Sequence, residues 1–227
     1  MIVVLVVSAQ REPFLSRFEK NQDTWDWFRG QGMTVYKVVG DSSILEPTVS
    51  DNVLTVPVKD SWELLGVKVW WAVSHMLKDP SVEGVFKMDD DVQINSPDAA
   101  AKAIGVLSKH EYASLAIGIA TRDVPITYAQ TRVAASSPWK TASVAVHATI
   151  PYASGSFMYL SRSSMNVLSS VHSLIAFAQC PIEDLTTGQL LCNAMVPLTV
   201  LTSSAFCWGH LDKTVGCSED EFKLTEG

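Results

Sequence analysis

The stretch Val82-Glu83-Gly84-Val85-Phe86-Lys87-Met88-Asp89-Asp90-Asp91-Val92 decides how this chain is read. Its apolar first half reads as a short buried strand. Asp89, Asp90 and Asp91 at its end repel one another, and burying them is costly unless a cation or hydrogen bonds compensate. A hard divalent cation is the simplest compensator, because Mg²⁺ and Mn²⁺ prefer carboxylate and water oxygens and commonly bridge to phosphates. In extended chain Asp89 and Asp91 point to one side and Asp90 to the other. One carboxylate can therefore hold a metal while a neighbour takes another task, such as a ribose hydroxyl. The same stretch also reads as a solvated acidic turn opening a helix, since Ser96-Pro97-Asp98 has the form of a cap with proline at N1.

Outward from this stretch the chain alternates strands and helices. Residues 2–7 (Ile-Val-Val-Leu-Val-Val) read as a buried parallel strand. Residues 14–30 read as one helix, 33–39 as a strand, 40–51 as a polar loop and 53–58 as a strand. Residues 64–77 form a strong amphipathic pattern, and 97–108 an alanine-rich helix. This order predicts an α/β fold with a mainly parallel sheet flanked by helices. Ligands of such sheets sit beyond the carboxyl ends of the strands, where Ser8 and Asp89 both fall. In the second half, 112–119, 141–148, 156–160 and 198–201 read as strands, with 162–177 and 183–194 as helices. Residues 121–139 read as a loop and 218–227 as a loose tail. No repeat or linker divides the chain. The expectation is a single domain over 1–217, in two halves of about 1–110 and about 111–217.

Bulk properties narrow the function. The 227 residues suffice for a sizeable core, and 47% hydrophobic with 18% charged residues is a globular composition. A net charge of −7 argues against nucleic-acid binding, which needs a basic face. No apolar run reaches the length of a membrane span, and residues 1–7 lack the basic flank of a signal peptide. Cys180, Cys192, Cys207 and Cys217 form no C-x-x-C pair, which argues against structural zinc and leaves free thiols or disulfides open. P-loop, G-x-G-x-x-G and G-x-S-x-G motifs are absent.

Three further constellations carry candidate chemistry. Ile182-Glu183-Asp184-Leu185 puts two acids at a helix start. Asp184 there reads either as a stabiliser of the helix dipole, worth about 0.3–1 kcal/mol, or as a general base. Pro151-Tyr152-Ala153-Ser154-Gly155-Ser156 is a turn entering a strand, where Gly155 serves the turn or the close approach of a ligand. His210, in Cys207-Trp208-Gly209-His210, is the best-placed nitrogen ligand for a carboxylate metal site.

Taken in order, these pieces resemble the β1,3-galactosyltransferase and Fringe group of inverting glycosyltransferases, which have the GT-A fold. Arg17 with Thr24-Trp25 is similar to that family's R-x(6)-T-W segment, with Gln22 in place of its usual second arginine. Residues 60–68, Asp-Ser-Trp-Glu-Leu-Leu-Gly-Val-Lys, resemble its D-S-Y-x-N-L-T-x-K segment, with Glu63 and Gly66 as departures. Lys87 to Val92 resembles its K-V-D-D-D-V core. Trp139-Lys140 followed by Pro151-Tyr152-Ala153-Ser154-Gly155 resembles its K-W to P-Y-x-S-G stretch, and Glu183-Asp184-Leu185 through Gly188 its E-D-V-x-x-G segment. Each match alone is weak; six in order with similar spacing, from about Val4 to Leu191, are specific.

The resemblance implies a nucleotide-sugar donor, UDP-linked by expectation, and a divalent metal, Mn²⁺ or Mg²⁺. It assigns Asp91 and, at the C-terminal end, His210 to the metal. Ser8, Arg17, Lys68, Asp89 and Asp90 fall to the nucleotide sugar, and Asp184 to the catalytic base. Trp139, Tyr152 and Gly155 fall to a glycan or glycoprotein acceptor. Animal members carry a membrane anchor and stem that this chain lacks, so a soluble enzyme or one domain of a larger protein is expected. Two other classes use the same aspartates: a metal-dependent nucleotidyl or phosphoryl transferase or nucleotide-sugar hydrolase, and an inactive sugar-binding module. Product analysis with an acceptor separates the first, and metal-dependent donor binding without turnover marks the second.

Overall fold

The structure, a computed structural model, describes residues 1–120, 123–124, 133, 135–140, 144–145, 150–203, 205–208 and 223–226. The chain runs β1 (Ile2–Val7), α1 (Phe14–Lys20), α2 (Gln22–Gly30), β2 (Thr34–Gly40), β3 (Thr48–Ser50), β4 (Val53–Val56), α3 (Leu65–Met76), β5 (Gly84–Asp89), β6 (Val92–Ile94) and α4 (Pro97–Leu107). It continues through β7 (Tyr112–Ser114), β8 (Ile117–Ala120), β9 (Asp123–Val124), β10 (Val144–Ala145), β11 (Ile150–Ala153) and β12 (Phe157–Ser161). The last elements are α5 (Arg162–Leu168), α6 (Val171–Gln179), α7 (Glu183–Asn193), β13 (Leu198–Thr202), β14 (Phe206–Trp208) and β15 (Lys223–Glu226).

Nine strands form the central sheet in the order β15-β13-β7-β12-β5-β1-β2-β4-β3. β1, β2, β4, β5, β7 and β13 run one way; β3, β12 and β15 run against them. The expected α/β fold with a mainly parallel central sheet is thus what forms. β1 shows why. Successive side chains of a strand alternate between faces, and both faces here are apolar. Val3, Leu5 and Val7 pack with α3, α5, α6 and α7, through Val69, Val73, Met165, Phe177 and Leu191. Val4 and Val6 pack with α2 and α4, through Trp25, Phe28, Ala103 and Leu107. Helices on both faces make β1 a central strand.

Several expected elements are subdivided. The helix foreseen over 14–30 breaks at Asn21, and that foreseen over 162–177 breaks before Ser170, whose hydroxyl caps α6 by accepting the Ser173 N–H. The expected loop 40–51 contains β3, joined to β4 through Asp51 and Asn52 at φ 50° and 62°. Two left-handed residues in succession are the requirement of a tight hairpin whose twist matches its strands. The expected loose tail contributes β15, an edge strand on β13, while the rest of it lies outside the described residues. Cys180 and Cys192 are free thiols. Among the described residues, no helix is long and apolar enough to cross a membrane.

Candidate active site

The carboxyl ends of β1 and β5 lie side by side, with Val7 opposite Asp89 in the register. β12 runs antiparallel beside β5. Its preceding turn, Ser154-Gly155-Ser156, therefore reaches the same edge of the sheet, and the Asp89 N–H donates to the Ser156 carbonyl at 3.0 Å. The first turn of α7 closes on this edge. Four segments distant in sequence meet here: the end of β1, the aspartate run, the 154–156 turn and Glu183-Asp184.

On the β1 side, the Ser8 hydroxyl donates to Asp90 Oδ2 at 2.7 Å. Asn21 Nδ2 donates to the Asp90 carbonyl at 2.6 Å and accepts Gln93 Nε2 on its own Oδ1 at 3.0 Å. The break between α1 and α2 thus has a use: it lets a buried amide clamp the peptide of the aspartate run. Asp90 is buried, and burial pushes its carboxyl up to about 6, against the Ser8 hydrogen bond. The positive charge of Arg17 also bears on Asp90, and the Arg17 guanidinium lies 5.4 Å from the centre of the Phe14 ring. Lys68 is buried too; its ammonium donates to the Ser8 carbonyl at 2.7 Å and to Asp60. Asp60 in turn accepts the Gln10 N–H at 2.7 Å. Asp60 and Lys68, eight residues apart in one sequence segment, brace the loop after β1 from beneath. The Thr24-Trp25 pair serves the same wall: Trp25 is fully buried and stacks on Phe18 at 5.5 Å, while Thr24 Oγ1 accepts the Ile94 N–H at 3.4 Å.

On the other side, Lys87 and Asp89 share a face of β5 because they are two apart. The Lys87 ammonium donates to Asp89 Oδ1 at 3.0 Å, to the Gly155 carbonyl, and pairs with Glu183 Oε2 at 3.0 Å. Burial lowers the proton affinity of this ammonium, but Asp89 and Glu183 outweigh it and the net shift is upward. Asp184 is half-buried. Its Oδ2 accepts the Gly155 N–H at 3.2 Å and its Oδ1 the Leu185 N–H at 2.9 Å. Burial raises its carboxyl above the ordinary value, opposed by the Lys87 charge and the two N–H groups. A Cβ at Gly155 would lie 3.3 Å from Asp184 Cβ and 3.4 Å from Glu183 Oε2, so the turn fits closely over both acids. Tyr152 packs between two other glycines, Gly118 under its ring and Gly188 under its Cβ. Its phenol is raised by burial and by the neighbouring Asp184.

Of the residues expected from the sequence, Ser8, Arg17, Lys68, Asp89, Asp90, Gly155, Tyr152 and Asp184 line this edge or brace it. Asp91 is half-buried between Asp90 and β6. Trp139 sits in a 3₁₀ turn, Pro138–Lys140, with its N–H on Ser137 Oγ at 3.2 Å. His210 lies outside the described residues, although Trp208, two residues before it, is the register partner of Val92, next to Asp91. Asn21, Asp60 and Glu183 carry contacts that sequence reasoning did not assign. The D…K spacing of 60–68 was the one available signal for Asp60, whereas nothing local marked Asn21.

Among the described residues, no three His, Cys, Asp or Glu side chains converge on a point that could hold a metal ion. The acidic side chains at this edge, Asp89, Asp90, Asp91, Glu183 and Asp184, nonetheless offer hard carboxylate oxygens. A cation held by one or two carboxylates, with phosphates and water completing the shell, is the usual Mg²⁺ arrangement, and it suits Asp91.

Residues 30–202 match the family model described as galactosyltransferase. The chain belongs to the galactosyltransferase family. Similar solved structures include a glycosyltransferase involved in the glycosylation of the major capsid of PBCV-1, 12% identical, with TM-score 0.39. That similarity covers 78% of this chain and 65% of the other, so this galactosyltransferase-family chain spans about two thirds of that protein's length. Another is 4-diphosphocytidyl-2C-methyl-D-erythritol synthase from Anaerococcus prevotii, 14% identical over 89% of this chain and 87% of that one, with TM-score 0.47. A third is HddC from Yersinia pseudotuberculosis, 13% identical over 73% and 79%, with TM-score 0.35. No curated protein sequence matches the chain.

Proposed function

We propose that this galactosyltransferase-family chain is a metal-dependent inverting transferase that moves a sugar from a nucleotide donor, UDP-linked, to a hydroxyl of a glycan or glycoprotein. The observation that carries this reading is the pairing across one sheet edge of an aspartate run with a separate carboxylate, Asp184, held on two backbone N–H groups. A single displacement needs both: charge control at the leaving diphosphate and a proton acceptor at the attacking hydroxyl.

In this reading Ser8 and Asp90 form the floor under the nucleotide, kept in place by Lys68, Asp60 and Asn21. Arg17 supplies positive charge on the same side, and Asp89 faces the donor from the end of β5. Asp91 would hold Mn²⁺ or Mg²⁺. His210 is the second ligand that the family resemblance assigns. When bound, the metal supplies Lewis-acid stabilisation of charge on the leaving phosphate. Asp184 takes the proton of the acceptor hydroxyl as that oxygen attacks the anomeric carbon. Its raised proton affinity suits a base working nearer neutrality than an ordinary carboxylate. Tyr152, beside Asp184, offers a ring for the apolar face of the acceptor sugar, and Trp139 a second one.

The test is a panel of nucleotide sugars with Mn²⁺ and simple glycoside acceptors, with products analysed for linkage. Transfer with inversion supports the reading. Nucleotide release without sugar transfer to any acceptor assigns the site to hydrolysis instead.

A further inference from the structure

Lys87 connects three segments that sequence separates. Its ammonium contacts Asp89 on its own strand, the Gly155 carbonyl in the turn before β12, and Glu183 at the start of α7. Lys87 is 1% exposed and Glu183 3% exposed. A buried ammonium is held in place by the carboxylates that replace its water. Asp184 follows Glu183 in the chain, and its Oδ2 accepts the N–H of the same Gly155 whose carbonyl Lys87 holds. Lys87 therefore grips both neighbours of Asp184: the peptide in front of it and the residue before it. Among the described residues, the titratable groups facing Asp184 are Lys87 and Asp89 from β5, Glu183 on its own helix, Tyr112 from β7, Tyr152 from β11 and Cys180 from the segment before α7. Lys87 is the cation in that set.

We propose that Lys87 is a positioning residue for sugar transfer, which keeps Asp184 ionised and aimed at the acceptor while tying it to the strand that ends in Asp89. The proposal rests on the reading of Asp184 as the base. Burial drives Asp184 toward its neutral form, in which it cannot take a proton, and the Lys87 charge opposes this.

The direct test needs no substrate. Protein labelled with ¹³C at aspartate carboxyls is titrated by NMR, the Asp184 signal being assigned by its loss in Asp184→Asn. Lys87→Met should raise the Asp184 midpoint by about one unit or more, the effect of removing a neighbouring opposite charge. Lys87→Arg, which keeps the charge, should return the midpoint toward the parent value. Glu183→Gln disrupts the same buried pair but leaves the cation, and should not raise it. Should Lys87→Met fail to fold by thermal melting, the double variant Lys87→Met/Glu183→Gln is compared with Glu183→Gln, and its midpoint must again be higher. In turnover assays with UDP-galactose, Mn²⁺ and a glycoside acceptor, the acid limb of kcat should move with the midpoint, while UDP affinity stays nearly constant. An unmoved midpoint in folded Lys87→Met, or an equal rise in Glu183→Gln, overturns the proposal. The base reading fails separately, if Asp184→Asn retains transfer.

Discussion

Gly188 on α7 lies directly against Tyr152 on β11: a Cβ at position 188 would sit 2.3 Å from the Tyr152 Cβ and 3.0 Å from its Cα. At Gly118 the added atom would instead meet the far end of the ring, 2.3 Å from Tyr152 Cζ. The two glycines therefore make different demands. Gly188→Ala presses on backbone and should cost about 1–3 kcal/mol of stability, as overpacking does. Gly118→Ala meets a ring that can swing away, so it should cost less stability and raise the acceptor KM instead. Thermal melts and acceptor titrations of both variants check this; equal stability loss in the two would contradict the packing argument.

Asp184→Asn keeps the shape of the side chain but removes the proton acceptor. It should lower kcat by about 10²–10⁴, with donor affinity nearly unchanged. In the parent, the raised Asp184 carboxyl means that activity is present above its titration and is lost as pH falls through it. The acid limb of the kcat profile should therefore lie above the range of an ordinary aspartate and vanish in the variant. Near-normal transfer by folded Asp184→Asn would move the base elsewhere.

Asp91→Ala should abolish Mn²⁺-dependent binding of UDP while leaving the melting temperature close to that of the parent, because Asp91 is half-buried and ends no packed element. His210→Ala should weaken the Mn²⁺ dependence less. Calorimetry with UDP and Mn²⁺ measures both. Unchanged UDP affinity in Asp91→Ala would refute the metal assignment.

Asp90 is 3% exposed, and its carboxyl is pushed up to about 6 from 3.8, chiefly by burial. A carboxyl whose folded value exceeds its unfolded value favours folding most when protonated. Its stabilising contribution is complete below the unfolded value and is lost as pH rises through about 6. Asp90→Asn cannot ionise and retains an oxygen for the Ser8 hydroxyl. With chelator present it should therefore match the parent near pH 4 and exceed its stability at pH 8 by about 2–3 kcal/mol, the equivalent of a shift of about two units. Denaturant melts at the two pH values check the sign, and a less stable variant at pH 8 would show that the ionised carboxylate is better paired than its burial implies.

The strand ending in Asp89-Asp90-Asp91, the α/β alternation and the helix beginning at Glu183-Asp184 were legible in the sequence, because each rests on local periodicity, β-branched runs and cap chemistry. Family resemblance was legible for the same reason: its segments are short and contiguous. Helix 14–30 was misread as continuous because Asn21 breaks it for a distant partner, the Asp90 peptide, which local propensity does not register. The placement of Gly155, Glu183 and Lys87 around Asp184 was likewise invisible. It depends on β12 running against its neighbours, which carries the Gly155 turn to the carboxyl edge of β5, and that direction is decided only when the sheet pairs. The sequence alone supplied the candidate groups. Tertiary structure decided which of them face each other, since contact between a strand end, a turn and a helix start is set by long-range packing and not by any window of neighbouring residues.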